Sequence, residues 1–325
     1  MAARIAYLSP NAEQMEHFER LSAGGEEIVW VDSNQPVEKQ AEDLRGVVAV
    51  IPTPSRYPEE LAKLTPSVRL VQTISAGTNM IDKVALGELG ILVANNGGGN
   101  AIAVAEHTIA LMVSAFRKFQ LQFNNVKEGS WAGDIRANWF SQAYEIAGKT
   151  IGIVGLGRIG SRLARRLQGW ECDLIYSDII DIDPALEEEL HLTRVSLDEL
   201  LTTSDIVSLH VPLNRNTHHM ISDREFDMMK PTALLVNACR GPVVDEEALF
   251  RAIRDKKIAV AALDVTEEEP TPVDNPLLQF DNVLITPHLA ALAIESHERS
   301  RAFAVYNTQR VARGEEPESV VPPDD

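Results

Sequence analysis

Four polar positions stand where short apolar runs end: His210 after DIVSL, Arg240 after LLVNAC, Asp264 after IAVAAL with Glu269 beyond it, and His288 after NVLITP. If those runs are parallel strands, their carboxyl ends share one edge of a sheet, and the four positions cluster despite their separation in sequence. Singly each is weak, because a histidine near a strand end is usually a satisfied structural one and an arginine before Gly-Pro is usually a turn residue. Jointly they supply a defined chemistry. A planar guanidinium holds a carboxylate in bidentate form. A histidine exchanges protons near neutrality and can serve a carbonyl oxygen that gains charge. A carboxylate beside that histidine orients the ring and stabilises imidazolium. Arg240, His288 and Glu269 fit these roles in that order, and the roles are those that hydride transfer to a 2-keto acid requires.

The element that must position them lies near the middle of the chain. The run TIGIV reads as a buried strand and leads directly into G-L-G-R-I-G and then SRLARRLQGW, where Ile159, Leu163, Leu167 and Trp170 recur at helical spacing. In such a strand, turn and helix, Gly155 allows the tight turn, Gly157 lets a pyrophosphate approach the backbone, and Gly160 lets the helix pack on the sheet. The helix N-terminus then offers free N–H groups to phosphates. Alone, the motif is compatible with an ordinary strand-to-helix turn. Its context says more: CDLIYSD reads as a second strand ending at Asp178, near the offset at which an acidic residue meets the adenosine ribose hydroxyls. Asp178 repels a 2′-phosphate and Ile179 and Ile180 follow it, so NAD is expected rather than NADP.

The 325 residues suffice for one large or two medium domains. Hydrophobic content of 45% is that of a soluble globular protein. No apolar run reaches the length of a membrane helix and MAARIAYLSP lacks a signal-peptide layout, so the expected compartment is the cytoplasm. Cys172 and Cys239 are read as reduced thiols. A net charge of -18 argues against nucleic acid or anionic membrane as partner. Only nine of the 30 basic residues are lysine, a surface compatible with a salty habitat or with base composition alone.

The first hundred residues alternate strand and helix, which predicts an open parallel α/β sheet with ligands at the carboxyl ends of its strands. That directs attention to the loops 52–57 and 75–79. The run Asn96-Gly97-Gly98-Gly99-Asn100 is the strongest break, and AIAVAEHTIALMVSAFRKFQLQF after it reads as one long buried crossover helix. Glu106 and His107 within it are taken as a satisfied polar pair. The loop-like stretch with Trp131, Trp139, Phe140 and Tyr144 fits either a homodimer contact or packing on its own domain. Six strands, ending at Val154, Asp178, Val211, Cys239, Val265 and Thr286, are expected in the second half. The tail GEEPESVVPPDD is expected to be disordered.

The segments TIGIVGLGRIG with Asp178, LHVPLN, LLVNACRGPVVDEEAL, AALDVTEEEP and NVLITPHLAA resemble the D-isomer-specific 2-hydroxyacid dehydrogenases, and the chain is similar to a short-form member over almost its full length. The resemblance implies an α/β fold of two lobes. A Rossmann-type doubly wound parallel sheet, residues 100–289, binds NAD and is inserted into a smaller flavodoxin-like substrate domain, residues 1–99 and 290–325. It implies a homodimer, with Arg240, Glu269 and His288 as the catalytic set and the Ser75-Ala76-Gly77 loop binding the substrate carboxylate through backbone N–H groups. The cofactor contacts it implies are Val104, the turn Gly155, Gly157, Arg158, Ile159 and Gly160, and Asp178. Further along they are His210, Val211, Pro212 and Thr217, then Ala238, Cys239 and Arg240, then Asp264 and His288. No metal is expected.

Departures from the family's branches narrow the reading. The loop PTPSRYP lacks the R-S-x-T-K pattern of the phosphoglycerate branch, with Arg56 and Tyr57 still expected to face substrate. No regulatory domain follows the terminal helix, so serine-type feedback is not expected. Glu269 stands where formate dehydrogenases carry glutamine, and Ala76 where phosphite dehydrogenases carry lysine. Two other readings stay open: an NAD(H)-sensing binding protein resembling the C-terminal-binding corepressors, and a phosphite-type dehydrogenase.

Overall fold

The computed structural model describes residues 3–22, 26–131 and 142–323, which form two compact units, Met1–Asn100 with Leu292–Asp325 and Ala101–Ala291. Trp139 and Phe140 lie outside the described residues. Trp131 is exposed, and Tyr144 packs on Phe116 with ring centroids 5.4 Å apart.

The first unit runs β1 (Arg4–Ser9), α1 (Met15–Leu21), β2 (Glu27–Asp32), α2 (Val37–Asp43), β3 (Val47–Pro52), α3 (Glu59–Leu64), β4 (Leu70–Gln72), α4 (Lys83–Glu88) and β5 (Leu92–Ala94). All strands are parallel, in the flavodoxin-like order β2-β1-β3-β4-β5. The central strands are apolar runs because both faces are covered. Leu44, Leu61, Leu86 and Ile91 pack with one set of strand residues. Tyr7 and Ile51 pack with Phe18 and with Ala304 and Val305 of the C-terminal helix. Each fully buried side chain of this size contributes about 1.5–3 kcal/mol.

The C-terminal tail corrects the sequence expectation. The Val321 amide donates to Val93 O at 2.8 Å, the Asn95 amide to Ser319 O at 3.1 Å, and Val320 bridges Ala94 antiparallel. The edge strand β5 carries backbone groups in need of partners, and the tail supplies them. Buried Asn307 holds the tail in place by hydrogen bonds to the amide and carbonyl of Glu318.

The second unit opens with α5 (Ala101–Phe116) and α6 (Phe119–Lys127), where a single helix is expected. The break is at Lys118, whose φ of 53° is left-handed, and α6 buries no side chain. There follow β6 (Thr150–Val154), α7 (Arg158–Leu167), β7 (Asp173–Ser177), α8 (Pro184–Glu189), β8 (Leu192–Arg194), α9 (Leu197–Thr203), β9 (Ile206–Leu209), α10 (Asp223–Met228), β10 (Leu234–Asn237), α11 (Glu246–Arg254), β11 (Val260–Leu263) and β12 (Val283–Ile285). The last helix, α12 (Ile294–Ala312), belongs to the first unit.

The second sheet is parallel, in the order β12-β11-β10-β9-β6-β7-β8, and the strand order reverses between β6 and β9. It has seven strands where six are expected, because β8 is only three residues long and carries a polar Thr-Arg end. Helix α7 buries Leu163, Ala164 and Leu167 and ends there, which leaves Trp170 beyond it and partly exposed. Among the described residues no helix is long and apolar enough to cross a membrane.

Candidate active site and dinucleotide cradle

At the reversal point the three glycines meet different demands. Gly155 has a φ of 90°, and a Cβ there would sit 2.7 Å from the carbonyl oxygen of His210. A Cβ on Gly160 would lie 2.2 Å from the Gly155 carbonyl oxygen, so α7 packs against its own turn only with glycine. Gly157, the N-cap of α7, would point its Cβ into open space. Two glycines are therefore demanded by packing, and the third keeps the approach to the helix N-terminus clear, as a pyrophosphate needs.

Asp178 closes this cradle. Its carboxylate accepts from the Leu156 amide at 2.7 Å and from the Ile180 amide at 2.9 Å, one oxygen each. Ile179 stands almost wholly exposed beside it. Val104, Ala238 and Ala290 form a small apolar cluster with Ile159 and Ala291 packed against it. Arg158 is exposed at the helix start. Open backbone at Gly157, a helix N-terminus and a fixed acid fit a dinucleotide.

His210 follows β9, and its amide donates to Val154 O at 2.8 Å, which ties it to the glycine strand. Its Nε2 meets Ser208 Oγ at 2.9 Å, while Nδ1 is buried without a partner. Burial lowers its pKa to about 4, which leaves the imidazole neutral. Thr217 serves its own loop: its hydroxyl donates to Pro212 O at 2.6 Å and accepts from the Asn214 amide at 2.8 Å. Val211 is half-buried and Pro212 exposed.

The second half of the sheet assembles Arg240, Glu269 and His288 from the ends of β10, β11 and β12. Buried Asn237 shapes the Arg240 turn, its Nδ2 donating to Arg240 O at 2.9 Å and its Oδ1 accepting from the Cys239 amide at 3.1 Å. Cys239 itself is buried, and that burial raises its pKa to about 11. Gly241 was not singled out from sequence. A Cβ there would lie 1.8 Å from the Thr266 carbonyl oxygen, so the Arg240 turn rests directly on the loop that carries Glu269. A second tie joins the same two loops: Glu267 pairs with His219, whose amide donates to Pro242 O at 2.8 Å.

Glu269 Oε2 meets His288 Nδ1 at 2.7 Å, and its Oε1 accepts from the Thr266 amide at 3.3 Å. With a carboxylate on Nδ1, the proton sits there and Nε2 is the nitrogen available for exchange. Both side chains are partly open to solvent, at 47% and 37% exposure, as a proton-exchanging pair must be. His288 adopts a left-handed φ of 53°, a conformation that costs a non-glycine residue about 1–3 kcal/mol.

Asp264 holds that conformation. It is 1% exposed. One of its oxygens accepts from Thr286 Oγ1 at 2.6 Å and the Leu289 amide at 3.0 Å, and the other from the Ala290 amide at 2.8 Å; the His288 amide donates to its backbone carbonyl at 2.8 Å. Burial opposes its charge, but these hydrogen bonds and His107 outweigh burial and keep its carboxyl below the usual range. His107, read from sequence as one of a satisfied polar pair, bonds Thr286 Oγ1 at 3.1 Å, and Glu106 pairs with Arg166.

In the first unit the Ser75-Ala76-Gly77 turn is held by internal hydrogen bonds, Ser75 Oγ to Gly77 O at 2.8 Å and Thr73 Oγ1 to Ser75 O at 2.8 Å. Arg56 is exposed. Tyr57 is not available to a substrate: it is buried in the core with its hydroxyl 2.7 Å from Thr65 Oγ1, and burial raises its pKa to about 12. Among the described residues no cluster of histidine, cysteine and carboxylate side chains is placed to hold a metal ion.

Residues 109–290 match the family described as D-isomer specific 2-hydroxyacid dehydrogenase, NAD binding domain. A glyoxylate reductase of Thermofilum pendens is 36% identical over 295 residues, which is 90% of this chain and 85% of that protein. The chain belongs to the D-2-hydroxyacid dehydrogenase family. Solved members share its fold. The apo D-mandelate dehydrogenase of Rhodotorula graminis superposes with a TM-score of 0.86 at 27% identity, covering 99% of this chain and 98% of that one. A glyoxylate reductase of Paecilomyes thermophila gives 0.85 at 28% identity over the whole of both chains. In this chain the unit that matches the family's dinucleotide half holds both the glycine cradle and the Glu269–His288 pair.

Proposed function

We propose that the chain is an NAD-dependent D-2-hydroxyacid dehydrogenase that works mainly as a 2-keto acid reductase. The observation that carries this reading is the 2.7 Å Glu269–His288 contact at the carboxyl edge of the same sheet that bears the Arg240 turn and the glycine cradle. Arg240 binds the substrate carboxylate and orients the carbonyl. His288 Nε2 donates a proton to the carbonyl oxygen as its carbon is reduced, and Glu269 holds Nδ1 and stabilises the imidazolium form. Asp264 and Thr286 keep the histidine segment in place. The backbone at Gly155–Gly160 and the Asp178 carboxylate would hold NAD, which when bound supplies the hydride. Ser75, Ala76, Gly77 and Arg56 complete the substrate contacts on the family's pattern, which also implies a homodimer.

Glyoxylate is the first substrate to try, because relatives are named for it. The test is a panel of 2-keto acids, with glyoxylate, hydroxypyruvate, pyruvate and phenylpyruvate first, scored by NADH oxidation. Saturable turnover of at least one acid is the expected result, with a D-2-hydroxy product wherever the reduced acid is chiral. Tight NADH binding without turnover of any acid would instead support the corepressor-like reading, and NAD reduction by phosphite the phosphite-type one.

A further inference from the structure

Arg194 ends β8 opposite Tyr176 of β7, two residues before Asp178. Its Nη2 donates to the Asp178 carbonyl oxygen at 2.9 Å, and its Nη1 meets Asp181 Oδ1 at 2.6 Å. A guanidinium thus lies against the residue whose carboxylate is suited to the ribose hydroxyls, and it is bound to the turn that presents that carboxylate. Asp178 is pinned by two backbone amides, so it cannot swing aside for a second phosphate. Glu187, which accepts from the Tyr176 hydroxyl, adds a further negative group to the surroundings of Arg194.

We propose that Arg194 is a specificity-determining residue: Asp181 keeps its guanidinium occupied, so that the Asp178 turn accepts NAD(H) and rejects NADP(H). The inference rests on the dinucleotide reading of the cradle. The Asp181 carboxylate occupies the guanidinium and the Asp178 carboxylate stands on the same turn, held by its own amides, so the charge at the ribose end repels a dianionic phosphate. The Arg194–Asp181 pair is the weak point of the device. Asp181 is 95% exposed, and an ion pair open to water is held only loosely. Removing both carboxylates would leave Arg194 on the same turn with Nη1 released from Asp181, and a guanidinium so placed can donate to a phosphate oxygen.

The test is equilibrium binding of NADH and NADPH, followed by nucleotide fluorescence, with kcat/KM for each measured alongside. Wild type is expected to bind NADH far more tightly. Asp178→Ser should narrow that preference, and adding Asp181→Asn should narrow it further by about tenfold, the scale of one charge at this range. Adding Arg194→Gln to the double variant should remove that last gain while NADH still binds, which also reports that the variant is folded. An Asp181→Asn step without effect, or unchanged NADPH affinity on removal of Arg194, overturns the proposal. Wild type that binds neither nucleotide overturns the dinucleotide reading itself, a separate outcome.

Discussion

The two sides of the reversal point in the second sheet are built differently. On the side of β6, β7 and β8 the cradle comes from one continuous stretch, residues 150–195, and its groups are mostly backbone: the open face at Gly157, the amides of Leu156 and Ile180, and one carboxylate held by them. On the side of β10, β11 and β12 the chemistry comes from side chains on separate loops, which touch through Gly241, the His219–Glu267 pair and Asp264. A backbone site tolerates no added Cβ where it packs, whereas a side-chain site depends on loops being held in mutual register. Substitutions on one side should therefore leave the other side's function standing.

The strongest way to break that division is His288→Ala. It should lower kcat by about 10²–10⁴-fold, the usual weight of a general acid, while NADH binds as before. Near-normal turnover in this variant would sink the assignment of His288, and lost NADH binding would show that the two sides are not separable.

A pair of glycine variants sharpens the account of the cradle. Gly160→Ala places a Cβ 2.2 Å from a backbone oxygen and should cost about 3 kcal/mol of stability, read as a lower Tm, together with NADH binding. Gly157→Ala meets no atom within 4 Å and should keep its Tm yet bind NADH at least tenfold less tightly. Equal losses of Tm in the two would mean that packing, and not access for a ligand, explains both glycines.

The smallest effect concerns His210, which joins the two sides. Its pKa falls from 6.5 to about 4 on burial, so between those values the unfolded chain binds a proton that the folded chain does not. Stability should therefore decline as pH drops through this window, by up to about 3 kcal/mol at its lower end. His210→Gln should show a shallower fall of Tm between pH 6.5 and 4.5, and identical slopes would remove His210 as the cause.

The same contrast explains what could be read from the chain. The cradle was legible because its parts are neighbours in sequence and its glycines are dictated by backbone geometry. Strand and helix alternation was legible because buried parallel strands are apolar runs. Arg240, Glu269 and His288 are weak one by one and gained meaning only together and through the resemblance. Burial was harder to foresee. Tyr57 belongs to the loop expected to face substrate and was itself expected to do so, yet its hydroxyl is satisfied by Thr65, a partner that no periodicity marks. Asp264 ends a strand like the other site residues, but the amides it serves belong to the His288 segment. The break at Lys118 and the three-residue β8 leave too little pattern to read, and Gly241 looked like part of an ordinary Arg-Gly-Pro turn.

The docked tail has a consequence for handling the protein. Residues 318–321 occupy the free margin of the first sheet, where β5 would otherwise offer its backbone to any extended strand. Trimming the chain after Gly314 would uncover that margin and invite one molecule to add its strand to the next, so the tail works as a built-in guard against edge-to-edge aggregation.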